Sequence, residues 1–129
     1  MTTFYVASSF SNKDAVRYVS SQLQACGWRH TYDWTKNERA ATFAELKEIG
    51  TFEKEAVAAA DVFIMLLPAG KGSHIEMGMA LGMGKHVYLF SETDAVNDFE
   101  TTSTFYHLSD VQQVIGSLDE LIARIQTEN

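Results

Sequence analysis

The chain has little cysteine, little proline and no long apolar run, and each shortage excludes a class of protein. One cysteine, Cys26, excludes an intrachain disulfide bond and a cysteine-based zinc site. One proline in 129 residues argues against a disordered or linker-rich chain. No run of apolar residues reaches the length that spans a bilayer, so we expect no membrane partner.

Basic residues are also scarce, with 10 against 17 acidic ones and a net charge of −7. We therefore expect no nucleic-acid partner, because contacts with phosphates need a concentrated basic surface. The first residues, MTTFYVASS, lack the basic and apolar regions of a secretory signal. These features predict a soluble, cytoplasmic protein, and the length predicts a single domain over residues 1–129.

Strand and helix patterns alternate along the chain. Short β-prone or apolar runs predict five strands, at Phe4–Ala7, His30–Tyr32, Val62–Leu67, His86–Phe90 and Val111–Ile115. The third run is apolar on both faces, as a central parallel strand requires. Such alternation implies right-handed crossovers. We expect a flavodoxin-like or Rossmann-like three-layer α/β sandwich, with a parallel sheet of about five strands in the order 2-1-3-4-5 and helices on both faces.

Capping pairs predict where the helices begin. Each pair is a hydroxyl residue followed three positions later by an acidic one: Ser11 with Asp14, Thr42 with Glu45, Ser73 with Glu76, and Ser117 with Glu120. Gly27 suits the end of the first helix, and Gly50 is expected to interrupt the second. On the third helix, predicted from Ser73 to Met83, we expect Ile75, Met79 and Met83 to face the core. The long stretch from Asp94 to Ser109 has no clear period, which is typical of a functional loop.

Glu76 lies in the predicted first turn of a glycine-led helix between two buried strands. Open α/β sheets bind ligands there, beyond the carboxyl ends of the strands. Two roles are open for its carboxylate. It caps its own helix by binding the amide of Ser73, or it faces a ligand brought close by Gly70 and Gly72. An ionised carboxylate at such a place can attack an electrophilic sugar carbon.

Three motifs, in the right order, carry a family resemblance. They are KGSHIEMGMALGMGKHVYLF from Lys71, FYVASSF from Phe4, and EAVAAADVFIMLL from Glu55. Together they resemble the nucleoside 2-deoxyribosyltransferase family, including its branch of deoxynucleoside 5′-monophosphate N-glycosidases, over most of the chain to about Ser91. The resemblance implies that Glu76 is the nucleophile that forms a deoxyribosyl-enzyme intermediate. It places Glu53 where the family has an aspartate that holds the base or a sugar hydroxyl.

One position departs from the transferase pattern. Transferases of the family have an aspartate six residues before the nucleophile, where this chain has Gly70. The segment Gly70, Lys71, Gly72 and Ser73 offers amides, a hydroxyl and a cation at a helix N-terminus, which favours an anion. The N-glycosidase branch also lacks that aspartate. The sequence therefore favours a phosphorylated substrate or plain hydrolysis.

Other expected substrate-binding positions lie within or directly after the first two predicted strands. We expect Tyr5, Ser8, Ser9 and Phe10 to line the pocket floor. Asp33 and Trp34 are expected to face the same crevice, where an indole can stack on a base, although a buried core tryptophan is an open alternative. The family's oligomers insert loop residues into neighbouring sites, which implies a homodimer or larger homo-oligomer here, with Ser103 or Tyr106 as the inserted residue.

The expected function is cleavage of the N-glycosidic bond of a 2′-deoxyribonucleoside or its 5′-monophosphate, by transfer or hydrolysis, through Glu76. The expected partner is thus a small deoxynucleoside or deoxynucleotide. No cofactor and no metal are expected, since the four histidines show no metal-ligand spacing with acidic residues. Two alternatives stay open: a nucleotide or nucleotide-sugar sensor without catalysis, and an NAD-cleaving domain like those of Toll/interleukin-receptor proteins.

Overall fold

Five parallel strands form one sheet in the computed structural model, which describes residues 1–129. The strands lie in the order β2-β1-β3-β4-β5, and every neighbouring pair is parallel. Their bounds are Thr3–Ser8 for β1, Arg29–His30 for β2, Val62–Leu66 for β3, His86–Ser91 for β4 and Val111–Ile115 for β5. The expected strand order is confirmed, and the predicted second strand is shortened to two residues.

Four helices cover the two faces of the sheet, which confirms the expected three-layer fold. Helices α1 and α4 pack together, as do α2 and α3. The central strands β1 and β3 are buried along their whole length, because helices cover them on both sides. The helix bounds are Lys13–Ala25 for α1, Phe43–Ala59 for α2, Lys71–Gly82 for α3 and Leu118–Glu128 for α4.

Two of the four predicted capping pairs cap the N-terminus of a helix as expected. The hydroxyls of Thr42 and Ser117 accept hydrogen bonds from the amides of Glu45 and Glu120. The pair at Ser11 is wrong, because a short 3-10 helix over Phe10–Asn12 comes first and α1 begins at Lys13. Gly50 does not interrupt α2, which runs unbroken through it, because a single glycine in a helix interior costs only about 1 kcal/mol.

Several apolar side chains expected in the core lie at the surface. Ile75 is 65% exposed and Met83 is 48% exposed, so the assignment of these α3 residues to the core is wrong. The apolar residues of α3 are not confined to one face of the helix, so their four-residue spacing did not identify the buried face.

The expected homo-oligomer stays a prediction.

The long stretch before β5 contains two short 3-10 helices, Asp94–Asn97 and Thr104–His107. Another such helix follows β2, over Trp34–Lys36. None of the helices combines the length and the apolar character needed to cross a bilayer. No cluster of three or more histidine, cysteine, aspartate or glutamate side chains has a geometry that could hold a metal ion.

Candidate active site

A cleft of about 430 Å³ opens at the carboxyl ends of β1 and β3, between α2 and α3. The chain reverses direction across the sheet between these two strands, and parallel α/β sheets bind ligands at that switch point. Nine of the residues predicted from the sequence line the cleft: Ser8, Ser9, Phe10, Trp34, Glu53, Gly70, Gly72, Ser73 and Glu76. The topology therefore brings together residues that are up to 68 positions apart in the chain.

Glu76 does not cap its own helix. Helix α3 begins at Lys71 with Gly70 as its N-cap, which places Glu76 in the second turn and not in the first. The hydroxyl of Ser73 donates to the carbonyl oxygen of Ser8 at 3.1 Å and takes no part in a capping box. The capping role is therefore wrong, and the carboxyl group of Glu76 is left to contact other groups.

Those groups are a phenol and a second carboxyl. The Tyr5 hydroxyl, at the buried floor below the cleft, lies 2.7 Å from Oε2 of Glu76 and 3.3 Å from Oε2 of Glu53. Glu76 is mostly buried, with 9% of its surface exposed, and it lines the cleft. A phenol has only one proton to donate, and the shorter contact assigns it to Glu76. Glu53, at the longer distance, is therefore the weaker second acceptor of the same phenol.

Burial and mutual repulsion keep this pair from losing both protons easily. Burial and the charge of Glu53 raise the pKa of Glu76 to about 8, against the opposing hydrogen bond from Tyr5. Burial also raises the pKa of Glu53. The phenol of Tyr5 has its pKa raised by burial and by the two acids, so it stays a donor. Near neutral pH the pair therefore holds one shared proton and one negative charge.

An aromatic wall borders the cleft next to this pair. The indole N–H of Trp34 donates to the carbonyl oxygen of Val6 at 2.7 Å, which fixes the ring in a mostly buried position. The Phe10 ring lies 6.3 Å from the Trp34 ring, and the ammonium of Lys13 sits 3.8 Å from the Phe10 centroid. Trp34 is thus a packed residue that also lines the cleft, and its stacking on a base stays a prediction.

The N-terminus of α3 supplies a second feature of the cleft. Gly70, Gly72 and Ser73 line it, and the amides of a first helical turn lack partners within the helix. Lys71, expected to add a positive charge, is exposed and does not line the cleft. Lys54 of α2 lines it in place of Lys71. The helix terminus and Lys54 together favour an anionic group at this end.

Four predicted residues lie outside the cleft lining. Tyr5 is beneath it, as described. Asp33 accepts hydrogen bonds from the amide and hydroxyl of Thr35, so the expectation that it faces Glu76 is not met. Ser103 accepts from the amide of Phe105 at the start of a short helix. The hydroxyl of Tyr106 contacts Nε2 of His74 at 2.6 Å, within the same chain.

The two serines after β1 are engaged within the protein. The hydroxyl of Ser8 donates to the carbonyl oxygen of Leu66 at 2.7 Å and accepts from the side-chain amide of Asn12. The hydroxyl of Ser9 lies 3.0 Å from that of Ser11 and accepts a long hydrogen bond, at 3.4 Å, from the Ser11 amide. Ser8 therefore holds the end of β3 and the loop that follows it, and Ser9 caps the short helix over Phe10–Asn12.

Solved structures with the same fold include an N-glycosidase. The chain matches the Clostridium botulinum CMP N-glycosidase BcmB with a TM-score of 0.63 at 19% identity, over 97% of this chain and 99% of that one. It matches BlsM, a solution structure, with a TM-score of 0.67 at 14% identity, over 97% and 87%. It matches a conserved protein from Enterococcus faecalis V583 with a TM-score of 0.71 at 18% identity, over 100% and 99%.

This chain shares their fold. The matches agree with the resemblance to the nucleoside 2-deoxyribosyltransferase family that the sequence motifs carry. No family model matches the sequence, and no curated protein does so either. At these identities the likeness concerns the arrangement of strands and helices, and the side chains of the cleft carry the chemistry.

Sequence reasoning missed four residues that line the cleft: Gly50, Lys54, Ile75 and Met79. Lys54 and Gly50 lie in α2, where we expected no more than a helix break at Gly50. Ile75 and Met79 had been assigned to the core, and Met79 does pack against it while it also lines the cleft. The signal that could have found Gly50 and Met79 is spacing, because Gly50 lies three residues from Glu53 and Met79 three residues from Glu76. Residues three and four apart on a helix share one face.

Proposed function

We propose that the protein cleaves the N-glycosidic bond of a 2′-deoxyribonucleoside or, preferably, its 5′-monophosphate, by hydrolysis or base transfer through Glu76. One observation carries the proposal: Glu76 and Glu53, both bound to the Tyr5 phenol, lie on one cleft at the switch point of the sheet. Two neighbouring carboxyl groups are what retaining glycosidases use. The N-glycosidase activity named for the structural neighbour BcmB supports the same reaction type.

In the first step the ionised carboxylate of Glu76 attacks C1′ of the sugar. The C1′–N bond breaks and its electron pair goes to the base nitrogen. Because the pKa of Glu76 is raised to about 8, the shared proton lies mostly on Glu76 near neutral pH. The reactive form is the minor one in which this proton lies on Glu53, and from Glu53 it passes to the base. A positive charge develops on the sugar ring in the transition state. Ionised Glu76 therefore stabilises the transition state more than it stabilises the bound substrate.

In the second step a nucleophile releases the sugar from Glu76. Water attacks C1′, its proton passes to Glu53, and the C1′–O bond to Glu76 breaks, which restores both carboxyl groups. A free base in place of water completes a transfer. Two displacements at C1′ retain its configuration. Since Gly70 replaces the transferase aspartate, the anion-favouring α3 terminus and Lys54 fit a 5′-phosphate better than a 5′-hydroxyl.

The reactive state is the pair with one proton and one charge. Below the first proton loss Glu76 is neutral and cannot attack. Above about pH 8 the pair loses its second proton, and no acid remains for the leaving base. We therefore expect a bell-shaped dependence of kcat/KM on pH, with its falling limb near pH 8.

A release assay tests the proposal. The protein is incubated with deoxynucleosides and their 5′-monophosphates, with and without an acceptor base, and free base is separated and measured. We expect base release that Glu76→Ala reduces at least about 1,000-fold, while Glu48→Ala, a change at an exposed α2 glutamate, leaves it unchanged. Circular dichroism controls for folding. Full activity of Glu76→Ala would overturn the mechanism. Binding of a deoxynucleotide without product would favour the sensor, and cleavage of NAD without cleavage of deoxynucleosides would favour the NAD-cleaving domain.

A further inference from the structure

A second chamber lies next to the cleft on the side of the aromatic wall. Its volume is about 580 Å³, within the range of sites for drug-sized ligands. It shares Ser9, Phe10, Trp34 and Glu53 with the cleft, so the two spaces adjoin each other along these residues. Glu53 lies at their junction, next to the point where the glycosidic bond of a bound substrate would be cleaved.

The far wall of this side chamber is apolar and has nothing packed on it. Leu46 and Ile49 of α2 line it, and Leu46 is 56% exposed. They lie on the same helix face as Ala56 and Val57, which are buried against the sheet. The apolar stripe of α2 thus continues past the edge of the core and faces the chamber, where a bound apolar group would cover it.

The start of α3 distinguishes the two spaces as sites for the two ends of a nucleotide. The side chamber is lined by the charged residues Glu38, Glu53 and Arg39, and it lacks the α3 N-terminus that favours a phosphate. The glycines at the start of α3 and Lys54 line the cleft and not the chamber. A nucleotide whose sugar lies over Glu76 therefore directs its phosphate to α3 and its base past Phe10 and Trp34.

We propose, on the basis of the function proposed above, that the side chamber receives the base and selects bases that carry a bulky apolar substituent. A bare pyrimidine has too few atoms to fill a space that holds on the order of 20 waters. Phe10 and Trp34 flank the ring of the base, and the substituent reaches Leu46 and Ile49. Covering those two side chains removes apolar surface from water, which favours the substituted base.

The test compares matched substrates. The 5′-monophosphates of 2′-deoxycytidine and of N4-benzyl-2′-deoxycytidine are assayed for kcat/KM, and cytosine and N4-benzylcytosine for Kd by calorimetry. We expect the benzyl compound to be favoured about tenfold or more in both. Leu46→Trp places an indole in the part of the chamber that the benzyl group would occupy and should bring the ratio to one or below. Phe43→Trp, at a residue that is 90% exposed and outside the chamber, should leave the ratio as it is.

The two proposals fail separately. Cleavage of the plain nucleotide with no gain for the benzyl compound would overturn the side-chamber proposal and leave the function standing. The same holds if Leu46→Trp leaves the benzyl preference unchanged. A third outcome is that neither nucleotide is cleaved, benzylcytosine still binds more tightly than cytosine, and Leu46→Trp removes that gain. This outcome would support the side-chamber proposal and overturn the proposed function. No cleavage and no preference in Kd would overturn both.

Discussion

Replacing Glu76 with glutamine should stabilise the folded protein above neutral pH while it removes activity. Glutamine has the size of a protonated glutamate, and its amide oxygen can accept the hydrogen bond from Tyr5 that Glu76 now accepts at 2.7 Å. Glutamine does not ionise. The variant therefore keeps the packing of the neutral carboxyl group and avoids the cost of a buried charge next to Glu53.

The magnitude follows from the pKa of Glu76. Burial raises this pKa from 4.5 to about 8, so the folded state holds the proton more tightly than the unfolded state does. The wild type thus loses stability as pH rises from about 4.5 through about 8. A tenfold change in proton binding is worth about 1.4 kcal/mol, which gives a ceiling of about 5 kcal/mol. Water in the cleft and the proton shared with Glu53 reduce this, and we expect about 2–4 kcal/mol at pH 9.

Urea unfolding of the wild type and of Glu76→Gln, followed at several pH values from 5 to 9, measures the effect. The two proteins should have nearly equal free energies of unfolding at pH 5 and should diverge as pH rises. Glu48→Gln, at an exposed position of α2, serves as the control and should follow the wild type. Equal stability of wild type and Glu76→Gln at pH 9 would refute the buried, raised-pKa carboxyl group.

Three further changes test the carboxyl pair and the anion site. Glu53→Gln removes the second titrating acid, so the falling limb of kcat/KM near pH 8 should disappear. The pKa of Glu76 should also fall, because its negative neighbour is lost. Rates measured from about pH 5 to 9 report both effects, and a retained falling limb would contradict the pairing. Tyr5→Phe removes the hydrogen-bond donor that lowers the pKa of Glu76. The falling limb of the pH profile should therefore move to higher pH, and kcat/KM at pH 7 should drop about 10–100-fold. A falling limb at the same pH would contradict this role of Tyr5. Lys54→Ala should reduce the preference for a 5′-monophosphate over the matching nucleoside about tenfold. The preference is measured as the ratio of the two kcat/KM values at low salt. Equal losses of activity on both substrates would contradict the binding of a phosphate at Lys54.

The alternation of patterns was enough to predict the sheet, because the central strands β1, β3 and β4 are buried and therefore mostly apolar. The strand order does not follow from the sequence; the order 2-1-3-4-5 was expected from the flavodoxin-like arrangement, and the sheet has it. The start of α3 could not be predicted in the same way. Ser73 and Glu76 have the spacing of a capping box, but the hydroxyl of Ser73 binds the carbonyl of Ser8, 65 residues away. A contact at that separation leaves no trace in local spacing.

The site shows the same division. The resemblance identified Glu76 and Glu53 separately, and the fold alone brings both carboxyl groups to the Tyr5 phenol. The sequence placed Ile75 and Met83 in the core because their spacing is regular, while the structure exposes both. Regular spacing identifies a helix face, and only the packing of α2 beside α3 decides which face is covered. Asp33 was expected at the cleft because it follows a strand, and Thr35 binds it locally.

Mass spectrometry of a trapped intermediate tests most directly whether Glu76 bonds to the sugar. A 2′-fluoro-arabinonucleoside 5′-monophosphate should accumulate the covalent intermediate, because fluorine at C2′ destabilises the charged transition state of its breakdown. Trypsin cleavage after Lys71 and Lys85 yields a peptide, residues 72–85, in which Glu76 is the only carboxyl side chain. We expect the mass of the fluorosugar phosphate on this peptide, absent from Glu76→Gln. Release of base with no adduct there, or an adduct on Glu53, would contradict nucleophilic attack by Glu76.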